Sequence, residues 1–344
     1  MGPRTLEFEK QFNAFIGSEN SVSTNSATAA LHLALKAIGL GAGDEVIIPT
    51  HTFVATAEVV TYFGAVPVLC DVTEEHALMD PAKIELLITS RTKAIIPVHF
   101  AGAACDMDPI MEIAKHRRLF VICDAAHSLP TTYKGRKIGT ISDITCFSFY
   151  ATKTLACGEG GMATTRNPDF ANSMKINRLH GISRDAWDRY SLTGNWYYEV
   201  VDNGFKYNMT DVAASLGLAQ LAKCEWMKNE RAKIARYYLS KFRGSLVRAI
   251  GEPLYGESAW HLFVIRVKNR DAVIRKLAEN QIGSSVHFIP VHRHPHYQKT
   301  YGFSAEQCPV SEQIFQESLS LPIYPGLLQN DLDRIIDAVL SIAE

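Results

Sequence analysis

The chain has 344 residues, 47% of them apolar, with 35 basic against 36 acidic side chains, enough for a substantial core and without the excess charge that a nucleic-acid groove needs. No apolar run approaches the roughly 18 residues that span a bilayer, and the N-terminus lacks a signal-peptide core, so a soluble cytoplasmic protein without membrane contact is expected. The seven cysteines (Cys70, Cys105, Cys123, Cys146, Cys157, Cys224, Cys308) are scattered, odd in number and free of any Cys-x-x-Cys, which suits reduced thiols packed as small hydrophobes.

From Ser26 to about Thr165, helix-length patterns alternate with short apolar runs, the signature of an α/β fold with a parallel sheet covered by helices. A helix is predicted over 28–38, ending at Gly39, with strands near 45–48, 67–69, 94–98, 119–123 and 144–149. Asp108 and Pro109 read as the N-cap and first position of another helix. After Gly161 the regularity relaxes, and 178–204 is rich in Trp, Tyr, Arg and Gly. Helical periodicity returns over 210–242 through Val212, Leu216, Leu218 and Leu221; beyond it, strands at 261–267 and 285–289 alternate with helices at 271–279 and 331–342. A domain change is expected within 225–245, dividing the chain into 1–230 and 231–344.

Lys153 follows the apolar run 144–149 and precedes Gly158-Glu159-Gly160-Gly161, while Asp124 closes Phe120-Val121-Ile122-Cys123. A lysine amine can hold an aldehyde as a Schiff base and then move a proton as acid and base. An aspartate beside a pyridinium nitrogen keeps that nitrogen protonated, because a nearby negative charge favours the charged form. Together they point to pyridoxal phosphate (PLP). Taken singly, Lys153 is more simply a solvated lysine and Asp124 a strand-end turn residue. Asn25-Ser26-Ala27-Thr28-Ala29-Ala30 opens a helix with small residues and hydroxyls, either an ordinary capped start or a seat for the cofactor phosphate. Ser148 reads as a further phosphate contact or as a plain strand-end serine.

The series Asn-Ser-x-Thr-Ala-Ala-Leu (25–31), Gly-Asp-Glu-Val-Ile-Ile-Pro (43–49), Thr-Phe-x-Ala-Thr (52–56), Asp-Ala-Ala-His (124–127), Phe-Ser-Phe-x-x-x-Lys (147–153), Gly-Glu-Gly-Gly (158–161) and Gly-Phe-Lys-Tyr-Asn-Met-Thr-Asp (204–211), continued through Val286 to His292 and Ser320-Leu321-Pro322, resembles the DegT family of PLP-dependent sugar aminotransferases. The resemblance implies a fold-type-I transferase: a large domain with a mostly parallel seven-stranded sheet between helices, a smaller C-terminal α/β domain, and a homodimer whose active sites are shared between subunits. It implies Lys153 as the Schiff-base lysine, Asp124 as the pyridinium partner, Phe53 stacked on the cofactor ring, His127 near its phenolic oxygen, and Ala27, Thr28, Ala29 and Ser148 around the phosphate.

Two departures from the family pattern stand out. Lys206 and Asn208 occupy positions where many members have Asn and Arg; Lys206 is expected to reach the partner subunit's phosphate, whereas Asn208 cannot clamp a carboxylate. Arg178, Arg184 and His287 are then candidate anchors for the amino donor. The chain is also expected to be short at its N-terminus relative to the family. The implied reaction moves an amino group from glutamate to the keto group of a nucleotide-linked deoxysugar, with Trp187, Tyr190, Trp196, Tyr197 and Tyr198 lining the sugar site or packing at a dimer interface. A cyclitol aminotransferase and a PLP-binding sensor without turnover are the alternatives; a sugar dehydratase is disfavoured, since that branch replaces the lysine with histidine.

Overall fold

The computed structural model describes residues 1–183, 197–250 and 254–343. The strands in chain order are β1 (Asn20–Thr24), β2 (Glu45–Pro49), β3 (Val66–Cys70), β4 (Thr92–Ile95), β5 (Phe120–Asp124), a two-stranded hairpin of β6 (Thr132–Tyr133) and β7 (Arg136–Lys137), then β8 (Ile144–Ser148) and β9 (Gly161–Thr165); the five expected apolar runs are β2, β3, β4, β5 and β8, and β1, β9 and the hairpin were not expected. Seven of them form one sheet in the order β1-β9-β8-β5-β4-β2-β3. Pairing is parallel from β3 through β2, β4 and β5 to β8, and β9 runs antiparallel to both of its neighbours.

The period-2 alternation of side chains explains why the five expected strands read as apolar runs. In β2, Ile47 joins the core on one face of the sheet while Val46 and Ile48 join the core on the other; in β5, Val121 and Cys123 take the first face and Ile122 the second. Helices cover both. On the first face lies α1 (Pro3–Ile16), opened by a proline in its first turn and closed by Gly17 at φ 82°. Its Phe8 and Phe12, one turn apart, each stand 5.3 Å from a β8-side aromatic, Phe149 and Phe147 respectively. Burying each ring is worth about 1.5–3 kcal/mol. Gly217 on the facing helix Asp211–Leu221 is required here, because a Cβ would sit 2.8 Å from the Phe8 ring.

A second sheet of β10 (Arg248–Ile250), β11 (Phe263–Arg266) and β12 (Ser318–Leu321) is antiparallel throughout. With helices Arg270–Glu279 and Gln329–Ala343 it encloses a separate core around Tyr238, Phe263, Leu277 and Val339. Helix Cys224–Phe242 passes from one core to the other: Cys224 packs in the first, Ile234 and Tyr238 in the second. We place the domain division inside this helix. Among the described residues no helix is long and apolar enough to cross a membrane, and all seven cysteines are buried and unpaired.

Three expectations about elements are corrected. The helix predicted over 210–242 is two, Asp211–Leu221 and Cys224–Phe242. The helix assigned to start at Asp108 runs Met107–Arg117 with Asp106 as N-cap, and the Asp106 carboxylate accepts from the Tyr133 hydroxyl at 2.7 Å rather than from the helix. The strand predicted over 285–289 is a single bridge between Ser285 and Ser320, after which His287 and Phe288 turn their side chains into a cavity wall.

Candidate active site

In a parallel sheet the strand ends and the loops after them make a crevice at the carboxyl edge. Here β5 and β8 are neighbours in parallel register, Asp124 opposite Cys146, so β5 ends at Asp124 and β8 runs two residues further to Ser148 at the same edge. The helix α2 (Ala27–Ala37) points its N-terminus at the same place: Ser26 caps it, accepting from the Ala29 N–H at 3.1 Å. Close approach of α2 to β9 depends on Gly161, where a Cβ would lie 2.4 Å from the Ser26 carbonyl oxygen and 2.7 Å from the Ala27 nitrogen. Gly160 is equally constrained, with Cys157 Sγ at 2.7 Å from its hypothetical Cβ.

One cavity of about 540 Å³ is lined by Ala27, Thr28, Phe53, Asp124, His127, Ser148, Lys153 and His287, together with Ser26, Thr52, Tyr150, His261 and Phe288. Residues far apart in sequence and chosen for their chemistry thus share one wall. Asp124 is buried; its Oδ2 accepts from Thr56 Oγ1 at 2.9 Å and its Oδ1 from the Ala126 N–H at 3.1 Å. Burial pushes its carboxyl above the usual aspartate value, opposed by those two donors and by the Lys153 charge. Thr56 is itself held by Thr52, hydroxyl to hydroxyl at 2.8 Å. Burial pulls the Lys153 ammonium down from 10.5 to about 8, with the Asp124 charge acting the other way. In both groups desolvation outweighs the mutual attraction.

Three histidines surround this pair, and all are held below the ordinary imidazole value, first by burial and then by the positive charge of Lys153. The His127 ring stacks on Phe288 at 5.6 Å and lies 4.4 Å from the His261 ring. Its Nδ1 is buried without a hydrogen-bond partner, as is Nδ1 of His261. His287 is anchored through Nδ1 to Ser320 Oγ at 2.8 Å. Phe53 is 57% exposed, an aromatic face left open on the cavity.

Other expected site residues lie elsewhere. Ala29 is buried behind the cavity, its N–H taken by the Ser26 cap. Arg178 is corrected as a candidate donor anchor: it is 3% exposed, ion-paired with Glu9, and its Nη1 also donates to the Ser23 carbonyl at 2.9 Å. That network ties α1 to β1 and leaves no guanidinium face for a ligand. Lys206 is exposed and stands outside the cavity of its own chain, its backbone bridged to Leu179. Asn208 donates to the Met209 carbonyl at 3.3 Å. Tyr197 and Tyr198 are exposed; Arg184, Trp187, Tyr190 and Trp196 lie outside the described residues. Thr52, Thr56, His261 and Phe288 were missed as site residues. The two threonines stood in the quoted Thr-Phe-x-Ala-Thr run; nothing local marks His261.

The donor set fits PLP. A strand-end carboxylate kept in place by two donors suits a pyridinium nitrogen, a lysine amine near neutrality suits an aldehyde, and the first turn of α2 with Ser148 suits a phosphate. The open Phe53 face and the unpaired His127 nitrogen are what a flat, oxygen-bearing ring would contact.

Comparisons with known proteins agree. The pattern of the DegT/DnrJ/EryC1/StrS aminotransferase family matches residues 1–340. The spore coat polysaccharide biosynthesis protein SpsC of Bacillus subtilis is 46% identical over 100% of this chain and 90% of its own length. Among solved structures, the sugar aminotransferase Spr1654 of Streptococcus pneumoniae in its PMP form superposes with a TM-score of 0.94 at 35% identity, covering 100% of this chain and 92% of that one. Helicobacter pylori PseC, an aminotransferase involved in the biosynthesis of pseudoaminic acid, gives 0.92 at 26% identity over 99% and 91%.

Proposed function

The chain belongs to the DegT/DnrJ/EryC1/StrS aminotransferase family and is a PLP-dependent sugar aminotransferase, and from that premise we propose that it carries an amino group from glutamate to the keto group of a nucleotide-linked deoxysugar, for amino-sugar and polysaccharide biosynthesis. The observation that carries the reading is that Lys153 and the buried Asp124 line one cavity, where burial lowers the lysine amine to about 8. When bound, PLP supplies an electron sink for the substrate carbon. The protein supplies the rest. Near neutral pH an amine of this strength both takes a proton from a carbon and returns it, which each half of an amino exchange requires. Asp124 holds positive charge on the ring nitrogen, and the Thr52–Thr56 pair fixes its carboxylate in orientation. Phe53 and His127 hold the ring, and the α2 N-terminus with Thr28 and Ser148 the phosphate.

The polysaccharide role named for SpsC and the pseudoaminic acid pathway named for PseC support a sugar destined for a surface glycan. The exposed position of Lys206 supports a homodimer in which this residue serves the partner's site. Holoenzyme mixed with L-glutamate should lose its yellow absorbance and release 2-oxoglutarate, and a nucleotide-linked keto-deoxysugar should then restore it. An enzyme that ignores every such sugar yet aminates a free cyclitol ketone would sink the substrate assignment.

A further inference from the structure

Beside the cofactor cavity lies a second cleft of about 700 Å³, which shares Thr152, His261 and His287 with it. Its wall carries Arg231, only 7% exposed. The hydrogen bonds of this guanidinium run from Nη1 to the carbonyl oxygens of Ile323 (2.7 Å), His261 (3.2 Å) and Trp260 (3.3 Å), while Nε is buried with no partner. Carbonyl groups satisfy donors but do not cancel a charge. Burial alone perturbs Arg231, pulling it down to about 10, with no acidic neighbour holding it up. The remaining charges on the cleft, Asp331 and Arg334, pair with each other at 3.2 Å. Arg231 is therefore the uncompensated charge among the described residues of the cleft, and a buried cation of this kind is costly until an anion joins it. His261 stands between the two spaces: it feels both Lys153 and Arg231, and its Nδ1 has no partner.

We propose that this cleft is an anion subsite, receiving the carboxylate or phosphate end of a substrate whose reacting carbon lies at Lys153. The proposal rests on the aminotransferase reading and names where that reaction's substrates place their charge. Two sources carry such a group: the distal carboxylate of the amino donor and the diphosphate of the nucleotide-linked sugar.

Gly283 gives a test that spares Arg231 and its carbonyl ties. It lines the cleft, a Cβ there meets nothing within 4 Å, and its φ lies outside the left-handed range. Gly283→Asp adds one negative charge, and Gly283→Asn is the uncharged reference of the same size. Glutarate and pyrophosphate, neither of which can exchange an amino group, are titrated calorimetrically into holoenzyme. Relative to Gly283→Asn, Gly283→Asp should weaken one probe about ten-fold, the order expected of like charges roughly 10 Å apart in a partly desolvated site, and added salt should shrink the difference. Glutarate as the affected probe, with a raised KM for glutamate, assigns the cleft to the donor; pyrophosphate, with a raised KM for the nucleotide sugar, assigns it to the acceptor. Equal behaviour of the two variants toward both probes in an enzyme that exchanges amino groups normally overturns the subsite and leaves the activity reading standing. Charge-sensitive probe binding in an enzyme that exchanges none keeps the subsite and overturns the activity reading.

Discussion

Lys153 is held in a state that weakens the fold, and removing its charge should strengthen the cofactor-free protein. Lowering an ammonium from 10.5 to about 8 means that burying it costs about 3 kcal/mol, with the attraction of Asp124 already included. The depressed value fixes the sign. Between about 8 and 10.5 the unfolded chain binds a proton at this lysine that the folded chain has lost, so stability rises with pH across that window. Below about 8 both states are protonated and the penalty is fully present; above 10.5 neither is, and the penalty is gone. Lys153→Met keeps the length of the side chain without the charge. Cofactor-free variant should therefore exceed wild type by about 3 kcal/mol at neutral pH, and the gap should close as pH rises through the window. Urea unfolding of both proteins across that range measures it. Packing differences between lysine and methionine do not titrate, so the slope with pH isolates the charge. A gap that is flat with pH, or a wild type more stable than the variant at neutral pH, would refute the reasoning.

Borohydride reduction followed by peptide mapping should place the cofactor mass on Lys153, and Lys153→Ala should abolish it; the same mass on another lysine would end the assignment. Asp124→Asn should lower turnover by orders of magnitude while shifting the unfolding midpoint little, because size is retained and the pyridinium charge is not; a fully active variant removes the role given to Asp124. Thr56→Val takes away a hydrogen bond to a buried carboxylate, worth roughly 1.5–3 kcal/mol; kcat should drop about ten-fold or more with KM unchanged and Thr56→Ser should rescue it, whereas equal losses in the valine and serine variants would make Thr56 a packing residue only. Lys206→Ala should weaken PLP retention by about one to two orders of magnitude, on the strength of a charge-assisted hydrogen bond. In mixed dimers with Lys153→Ala on the other chain, retention damaged by the lesion on the site's own chain would exclude a cross-subunit contact.

Five strands of the large sheet were legible because burial on both faces favours runs of Val, Ile, Leu, Phe and Cys; β1 (Asn20–Thr24) and β9 (Gly161–Thr165) were not, being rich in Ser and Thr although buried. The break between helices Asp211–Leu221 and Cys224–Phe242 was not, since Leu221, Ala222, Lys223 and Cys224 include no glycine or proline and the apolar spacing runs through. Residues 285–289 alternate like a strand, yet only Ser285 bridges to a neighbouring strand, and the adjacent His287 and Phe288 both line the cofactor cavity. Lys153 and Asp124 stood out because few contexts need an amine and a carboxylate at neighbouring strand ends. Arg178 misled because its partner Glu9 lies 169 residues earlier, and an ion pair across that separation leaves no local trace.

Charge placement connects these points. Near Lys153 the three histidines are biased toward the neutral form: burial and the lysine's own field lower His127, His261 and His287 below the ordinary imidazole value. A protonated histidine there would drive the lysine still lower and compete with the ring nitrogen for Asp124. Neutral rings instead offer unpaired nitrogens that a ligand oxygen can meet without a change in net charge. On the proposed assignment the phosphate would be met by the same economy, through backbone N–H groups and hydroxyls at the α2 N-terminus and Ser148. Among the described residues, Lys206 stands outside the cavity of its own chain and Arg231 at the wall of the adjoining cleft. On the proposed assignments each cation would attract an anion from outside the cavity, and neither is among the charges that perturb Lys153.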